Sequence, residues 1–418
     1  MRISLLLKRE PFAEILENTL EKYWQAKFGC EYSVSLVSRS KASSTWGNPD
    51  PGCRDVPQRW VCNNLLNAIF LPDVDSAALN PIRKEFSRSP SVWKRPLQRA
   101  YVSLATGAFA SLLRHATMSV YPQVPEGAGI VIVPGNRKIR ILQHSKQQST
   151  CILKDGFDPA AFHVEVDARQ NATSLGIAVP ELIEVNREQG WFRESYLSGQ
   201  PLNRLADRQE VVAKRKVAFS DIRRLVEATL EPVTAADYAR RLEARIVSSL
   251  DEASQINPNN RQYLLQGVQH LRQSILEATN CPRELSISET HGDFQPANVL
   301  VADSGCWIID WENAGQRQSV YDLLVMVTNS RMSNGLADRL AQVVKSEVAP
   351  ASESDWPGLD WNTTATRTRH ADLFFLEEVA WHVAENTNTI FTSESSGLNQ
   401  IVAELRVWLQ NRETTIRT

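Results

Sequence analysis

The chain contains 418 residues, of which 42% are hydrophobic and 22% are charged, and its formal net charge is −2. A chain of this length and ordinary composition is expected to be globular, with two or three domains and a sizeable core. The near-zero net charge excludes a whole-chain attraction to nucleic acid or to anionic lipid, so we expect no nucleic-acid partner.

The cysteines and the apolar segments indicate a cytoplasmic protein without membrane insertion. The six cysteines are scattered without a CxxC pair, which argues against a zinc site and a disulfide framework and is typical of a reducing compartment. The apolar run at the N-terminus is too short for a signal peptide. Arg114 and His115 interrupt the apolar stretch 102–120, which favours a buried helix over a membrane span.

Residues 1–120 are predicted to form a mostly helical extension. Apolar positions recur at helical spacing from residue 11 to residue 29. The segment 39–58 is rich in Ser, Pro, Gly and Asn and is expected to be a loop. Two further helical stretches are predicted near 60–70 and 92–117. The block carries no chemical motif, so it is interpreted as an extra domain or a helical decoration of unknown role.

Residues 121–198 change to a strand pattern. The predicted strands share short β-branched or alternating runs bounded by turn signals, and they cover residues 129–133, 138–142, 151–154, 179–185 and 190–197. A helix with Phe162 and Val166 on its apolar side is predicted between the third and fourth strands. Residues 199–418 are mainly helical in pattern. We therefore predict an α+β fold, with a small antiparallel sheet lobe followed by a large helical lobe.

A strand–loop–strand unit at 286–311 interrupts the helical pattern and contains the segment His291-Gly292-Asp293-Phe294-Gln295-Pro296-Ala297-Asn298. Two apolar runs then flank a turn at 303–305, which predicts a hairpin. Because hairpin strands are antiparallel, Asn298 before the first strand and Asp310 after the second should lie at the same end.

The oxygen-bearing side chains of Asp293, Asn298 and Asp310 are therefore expected to converge at this end of the hairpin. Asp and Asn oxygens suit magnesium, which prefers oxygen ligands. Phosphoryl transfer needs one carboxylate to orient the acceptor hydroxyl, and metal ligands that neutralise phosphate charge. We predict Asp293 as the base or orienting group, with Asn298 and Asp310 holding magnesium. The alternative is that Asn298 caps a turn and Asp310 is a solvated loop residue.

The segment 291–300, together with Ile309-Asp310-Trp311-Glu312, resembles the catalytic and metal-binding segments of the aminoglycoside phosphotransferase/choline kinase family. Tyr321-Asp322-Leu323-Leu324 resembles the Asp-Leu element that follows, whose Asp supports the loop. The resemblance covers the chain from about residue 120 onward and implies a two-lobed protein-kinase-like fold. It also implies transfer of the γ-phosphate of ATP, or alternatively GTP, to a hydroxyl of a sugar, an aminoglycoside-like compound or an amino alcohol.

The resemblance also implies nucleotide-binding residues in the sheet lobe, residues 121–198. Lys154 ends the third strand and Glu165 lies in the next helix, as expected for a phosphate-contacting lysine and its acidic partner. The alternative is that Lys154 is a solvated lysine at the end of a strand and that Glu165 lies on a solvated helix face. Gly135 lies where a phosphate-covering loop belongs, although a plain hairpin turn explains the same residues. Glu194 and Tyr196 begin a segment that resembles the linker to the helical lobe, where the backbone pairs with adenine; Tyr196 could instead be ordinary core.

The chain departs from the pattern of protein kinases at Gly292 and Gln295. Eukaryotic-type protein kinases usually have Arg at the first position, and serine/threonine kinases usually have Lys at the second. The segment from Asp310 to Asp322 is too short for a long regulatory activation loop. These features favour a small-molecule acceptor over a protein. A catalytically weak nucleotide-binding pseudokinase or interaction module is the alternative, and the oligomeric state is left open.

The segment 373–385 is predicted to be an apolar helix that carries acids. Glu378 and Trp381 lie three residues apart and so share a helix face. An acid beside tryptophan could bind an amine of the acceptor through charge and cation–π contact. The alternative is an amphipathic core helix with a solvated acidic face.

Overall fold

The computed structural model describes residues 3–38, 56–87, 92–278, 283–303, 305–345 and 356–416. It divides into two compact units. The first consists of Met1–Pro159 and Pro180–Ser198, and the second of Ala160–Val179 and Gly199–Thr418. Within the described ranges, none of the helices has the length and apolar character needed to cross a membrane.

The first unit is built around one nine-stranded antiparallel sheet, with the strand order β1-β4-β2-β3-β5-β6-β7-β9-β8. Its elements in chain order are α1 (Ile3–Arg9), α2 (Phe12–Phe28), β1 (Ser33–Ser38), β2 (Gln58–Asn63), β3 (Ala68–Phe70), α3 (Asn80–Phe86), α4 (Arg95–Ala105), β4 (Ala116–Tyr121), β5 (Ile130–Pro134), β6 (Lys138–Gln143), β7 (Gln148–Leu153), β8 (Leu182–Asn186) and β9 (Trp191–Ser195). Strands β5, β6 and β7 form the predicted meander.

The first 120 residues differ from the predicted helical extension. Helix α2 lies where the apolar spacing predicted it, but strands β1 to β4 extend the sheet, and this block belongs to the same compact unit as β5 to β9. The predicted helix at 60–70 is instead the antiparallel pair β2 and β3. The predicted helix at 92–117 ends earlier, at Ala105, and β4 follows it. The loop predicted at 39–58 lies largely outside the described residues.

Burial on both faces of the sheet explains the missed strands. Trp60 and Cys62 face a core with α1 and α2, whereas Val61 faces a second core with α3 and α4. A strand that is buried on both sides loses the polar–apolar alternation by which an exposed strand is recognised. A short continuous apolar run cannot be told from a buried helix by its periodicity.

The second unit is mainly helical and has one large core. Its elements are α5 (Pro159–Ser174), β10 (Gln200–Pro201), α6 (Arg208–Ala228), β11 (Glu231–Thr234), α7 (Ala235–Glu252), α8 (Pro258–Glu277), β12 (Glu284–Thr290), β13 (Val299–Ala302), β14 (Gly305–Ile308), β15 (Gly315–Gln318), α9 (Tyr321–Thr328), α10 (Leu336–Lys345), α11 (Thr364–Ala384) and α12 (Ser396–Ile416). Two small sheets, β10-β13-β14 and β11-β12-β15, hold the loop that contains Asp293.

Candidate functional site

The hairpin of β13 and β14 brings Asn298 and Asp310 to the same end, as predicted. Val299 pairs with Ile308 in the antiparallel register. Beyond that pair, the Ile309 amide donates to the Asn298 carbonyl at 2.9 Å, and Asp310 follows directly. The backbone of Asp310 is left-handed, with φ +68, a conformation in which Asp is enriched among non-glycine residues.

The loop before Asp293 is held by a buried carboxylate. Asp322, at the start of α9, accepts the amides of His291 at 2.7 Å and Gly292 at 3.0 Å. Burial raises the pKa of Asp322, whereas His291 and the two amide donors act to lower it. The Asp293 amide donates to Nδ1 of His291 at 3.2 Å, and Nε2 of His291 lies 3.0 Å from the Ile309 carbonyl. His291 therefore links the loop to the hairpin and has a structural role there.

Gly292 is required by the backbone of this loop. It has φ +79, and a Cβ added there would lie 1.9 Å from the backbone oxygen of Asn313. We expect Gly292→Ala to displace the loop, to remove the phosphoryl transfer predicted to depend on Asp293 and to lower the thermal unfolding midpoint by several degrees.

Gly176→Ala provides a matched control for this prediction. Gly176 also has a left-handed backbone, with φ +71, but its added Cβ would meet only Nη1 of Arg224 at 3.6 Å. Gly176→Ala should therefore lower the free energy of unfolding only by the strain of an alanine in a left-handed backbone conformation, about 1–2 kcal/mol. Equal unfolding midpoints for the two variants would contradict the expected clash at Gly292.

The carboxylate of Asp293 is buried and surrounded by donors. Gln295 Nε2 donates to both oxygens at 3.1 and 3.0 Å, and Asn298 Nδ2 donates to Oδ2 at 2.8 Å. Arg331 Nε donates to Oδ1 at 2.7 Å. A carboxylate offers about four acceptor positions, so these hydrogen bonds occupy it fully.

Arg331 is a site residue that the sequence did not reveal. Its Nη1 donates to Glu378 Oε2 at 2.5 Å, and its Nη2 donates to the Gly292 carbonyl at 3.0 Å and to the Tyr321 hydroxyl at 3.2 Å. The guanidinium carbon lies 4.4 Å from the ring centre of Trp381. Burial acts to lower the pKa of Arg331, but Glu378 and Tyr321 raise it well above its ordinary value. Arg331 is therefore a fixed positive charge.

The sequence contained one indirect signal for Arg331. The segment between α9 and α10 has no motif, but the acid and tryptophan of the segment 373–385 indicate a cation site in one of the two interpretations of that helix. They do contact a cation, and it belongs to the chain itself. The alternative of a solvated acidic face does not describe Glu378, because its side chain is only 1% exposed.

The residues predicted to hold magnesium have oxygen atoms that fit the ion. The amide nitrogen of Asn298 is bound to Asp293, whereas within the described part of the chain its Oδ1 accepts no hydrogen bond. The carboxylate of Asp310 is exposed, and among the described residues it has no hydrogen-bond or ion-pair partner. One amide oxygen and one carboxylate suit magnesium, which keeps several waters and uses phosphate oxygens as further ligands. The described residues contain no group of three His, Cys, Asp or Glu arranged to hold a metal.

Lys154 lies directly after β7, and its ammonium is fully buried. Nζ donates to Glu10 Oε1 at 2.6 Å and to the Asn136 carbonyl at 3.0 Å. Glu10, between α1 and α2, also accepts from Arg9 Nη2 at 2.6 Å. Sequence reasoning missed Glu10 because no pattern in residues 1–120 points to a residue so distant in the chain. Glu165 is buried on α5 in the second unit, and its pairing with Lys154 stays a prediction.

The other residues predicted to bind nucleotide lie in the first unit. The amide of Gly135 donates to the Lys138 carbonyl at 2.8 Å, which is the plain hairpin turn considered as the alternative. Glu194 is buried on β9, 3.5 Å from Arg140 Nη2. Tyr196 packs against the core that contains α3 and α4, and burial raises its pKa. Nucleotide-binding roles for these three residues stay predictions.

Comparisons with known proteins give one family match and several similar structures. The family model described as "APH: Phosphotransferase enzyme family" matches residues 136–373. Among solved structures, the chain is similar to an ethanolamine kinase from Plasmodium vivax, with 14% identity over 83% of this chain and 97% of that chain, at a TM-score of 0.45. It is similar to a choline kinase from Streptococcus pneumoniae, with 13% identity, coverage of 68% and 92%, and a TM-score of 0.42.

A further similar structure is an aminoglycoside phosphotransferase from Streptomyces rimosus, solved in complex with ADP and streptomycin. The identity is 17% over 56% of this chain and 90% of that chain, and the TM-score is 0.35. No curated protein matches the sequence.

Proposed function

The chain belongs to the phosphotransferase enzyme family, whose model matches more than half of its residues, and from this premise we propose the roles of its site residues. The protein is an ATP-dependent small-molecule kinase with the predicted two-lobed, protein-kinase-like fold. We propose that Asp293 orients or deprotonates the acceptor hydroxyl, and that Asn298 and Asp310 hold magnesium. The observation that carries the proposal is the position of Asp293 beside Asn298, whose amide donates to it at 2.8 Å.

The transfer uses Asp293 as the acceptor of a proton. The hydroxyl proton of the acceptor moves to the carboxylate while its oxygen bonds to the γ-phosphorus of ATP, and the bond to the leaving ADP breaks. Since all acceptor positions of Asp293 are occupied, the hydroxyl must displace one donor. Gln295 is the donor to be displaced, because its contacts of 3.1 and 3.0 Å are the longest of the set.

The remaining site residues would bind the nucleotide and its ion. Magnesium, when bound, supplies positive charge that offsets the charge developing on the phosphate oxygens. Asn298 presents its amide oxygen, because its nitrogen is fixed by Asp293. We propose that Lys154, kept in place by Glu10, contacts the phosphates, with ATP as donor and GTP as the alternative.

The acceptor is proposed to be a small hydroxyl compound, either a sugar, an aminoglycoside-like compound or an amino alcohol. The alternative is a nucleotide-binding pseudokinase. Magnesium-dependent ATP consumption by the full chain, measured over a panel of metabolites and antibiotics, distinguishes the two. Turnover with at least one acceptor supports the kinase. Binding of ATP without turnover of any acceptor favours the pseudokinase, and absence of ATP binding would overturn both.

A further inference from the structure

Arg331 is bound in the way that a cationic ligand would be bound. Its guanidinium contacts the carboxylates of Asp293 and Glu378 and lies 4.4 Å from the ring centre of Trp381. Two acids and an indole ring form the kind of environment that attracts ammonium and guanidinium groups. This environment lies beside Asp293, where the reacting hydroxyl of an acceptor has to arrive.

We propose that Arg331 permanently occupies this acid–tryptophan site, made by Glu378 and Trp381, and is a positioning residue for Asp293. Because Arg331 occupies the acid–tryptophan site, the acceptor places its hydroxyl at Asp293 and binds no ammonium group of its own at that site. This inference rests on the proposed function for its consequence in catalysis, but the occupancy of the site by Arg331 can be tested without ATP.

The hydrogen bonds of Arg331 explain why it stays in the site. A guanidinium has five N–H donors, and Arg331 uses four of them, on Asp293, Glu378, Gly292 and Tyr321. The side chain of Glu378 is 1% exposed. Removing Arg331 would leave the buried carboxylate of Glu378 without its positive partner, which is strongly destabilising. A substrate ammonium would have to replace all of these contacts, so Arg331 is not readily displaced.

The contact with Asp293 explains the positioning role. Arg331 Nε makes the shortest hydrogen bond to the carboxylate, at 2.7 Å, and the guanidinium is itself fixed at the Gly292 carbonyl and Glu378. The orientation of Asp293 is thereby coupled to α11, which carries Glu378. A small displacement of a reacting group can lower a rate by about 100-fold.

A cavity of about 90 Å³ borders Arg331 and would be enlarged by its truncation. Its lining side chains come from α10, α11, α12 and the segment between α9 and α10, and include Glu378, Trp381, His382 and Gln400. While Arg331 is in place, burial lowers the pKa of His382 to about 4, although Glu378 acts to raise it. Arg331→Ala leaves the carboxylate of Glu378 and the ring of Trp381 without the cation that they contact, so the site is open to an added cation.

The first experiment measures occupancy by adding small cations to the full-length protein. Guanidinium chloride or tetramethylammonium chloride, at non-denaturing millimolar concentrations, is titrated into wild type and Arg331→Ala, with tryptophan fluorescence and the thermal midpoint as readouts. We expect saturable binding and a raised midpoint only in the variant. Saturable tetramethylammonium binding to wild type that Glu378→Gln abolishes would overturn the proposal, because the substrate cation would then displace Arg331.

The second experiment measures positioning through magnesium-dependent ATP turnover. We expect Arg331→Ala to lower kcat by about 100-fold, with an unchanged KM for ATP, and guanidinium to restore at least a tenth of the lost activity. Arg339→Ala is the matched control, because among the residues that the structure describes Arg339 donates to backbone carbonyls alone, those of Thr328, Asn329 and Asn334. Its kcat should be unaffected by added guanidinium. Wild-type kcat in Arg331→Ala would overturn the positioning role.

A third variant covers the case in which Arg331→Ala does not fold. Arg331→Lys keeps a positive charge beside Glu378. A lysine ammonium lacks the planar fork of the guanidinium, so it cannot bind the carboxylates of Asp293 and Glu378 together. We expect it to fold, with kcat lowered about tenfold and the KM for ATP unchanged; an unchanged kcat would overturn the proposal. If wild type shows no ATP turnover, the proposed function fails, while the cation-binding readouts still decide whether Arg331 occupies the site.

Discussion

Asp293→Asn is expected to lower the kcat of magnesium-dependent ATP turnover by roughly 10²- to 10⁴-fold, the usual contribution of a positioned general base. An amide at this position cannot accept the proton of the acceptor. It would also turn an N–H group toward Arg331 Nε or Asn298 Nδ2, which both donate to Asp293. The KM for ATP should change little, because no nucleotide contact is assigned to Asp293. Steady-state kinetics with a turned-over acceptor measures both parameters.

Asp303→Asn is the matched control for this prediction. Asp303 is exposed at the opposite end of the same hairpin, after β13. The substitution Asp303→Asn removes one negative charge from the second unit and leaves the residues of the loop before Asp293 unchanged. We expect its kcat to equal that of wild type. A normal kcat in Asp293→Asn, with the control also normal, would show that Asp293 is not the catalytic carboxylate.

Lys154→Met is expected to destabilise the first unit by about 3–5 kcal/mol, because it leaves the buried carboxylate of Glu10 without its lysine. The ion pair is 2.6 Å long, and both side chains are 0% exposed. Arg9 still contacts Glu10, so we expect the loss to lie toward the lower end of that range. Urea unfolding followed by tryptophan fluorescence measures it.

Lys22→Met is the matched control for burial. Lys22 and Asp155 form an ion pair of similar length, 2.5 Å, but their side chains are 70% and 30% exposed. A solvated pair of this kind contributes about 0–1 kcal/mol. Equal losses of stability in the two lysine variants would contradict the prediction that burial makes the Lys154 pair costly to break.

The double variant Lys154→Met/Glu10→Gln separates the structural role of this pair from its role in nucleotide binding. The double variant leaves no uncompensated carboxylate, and Arg9, which loses Glu10, still donates to the Asn136 carbonyl at 3.0 Å, so we expect part of the lost stability to return. ATP binding should not return, because a charge-assisted contact to phosphate is lost; we expect affinity to be roughly 10- to 100-fold weaker, as for hydrogen bonds to charged groups. Calorimetric titration with magnesium-ATP tests this, and wild-type affinity in the double variant would remove Lys154 from the proposed site.

Features that depend on neighbouring residues were predictable from the sequence. The β5–β6–β7 meander, α2 and the β13–β14 hairpin follow from local alternation, helical spacing and turn residues. The motif residues Asp293 and Asn298 lie in one short loop, so their proximity follows from chain connectivity. The strands in residues 1–120 were missed because both faces of that part of the sheet are buried, which removes the alternation that identifies a strand.

The sequence by itself determined the family resemblance, the α+β architecture and the residues proposed for catalysis, because these are encoded in contiguous motifs. Only the tertiary structure decided which charges are paired with them. Arg331 lies 38 positions from Asp293, and Glu10 lies 144 positions from Lys154. A buried charge requires a partner, but 46 basic and 48 acidic residues are available in the chain. The choice among them is made by the packing of elements distant in sequence, which no local pattern records.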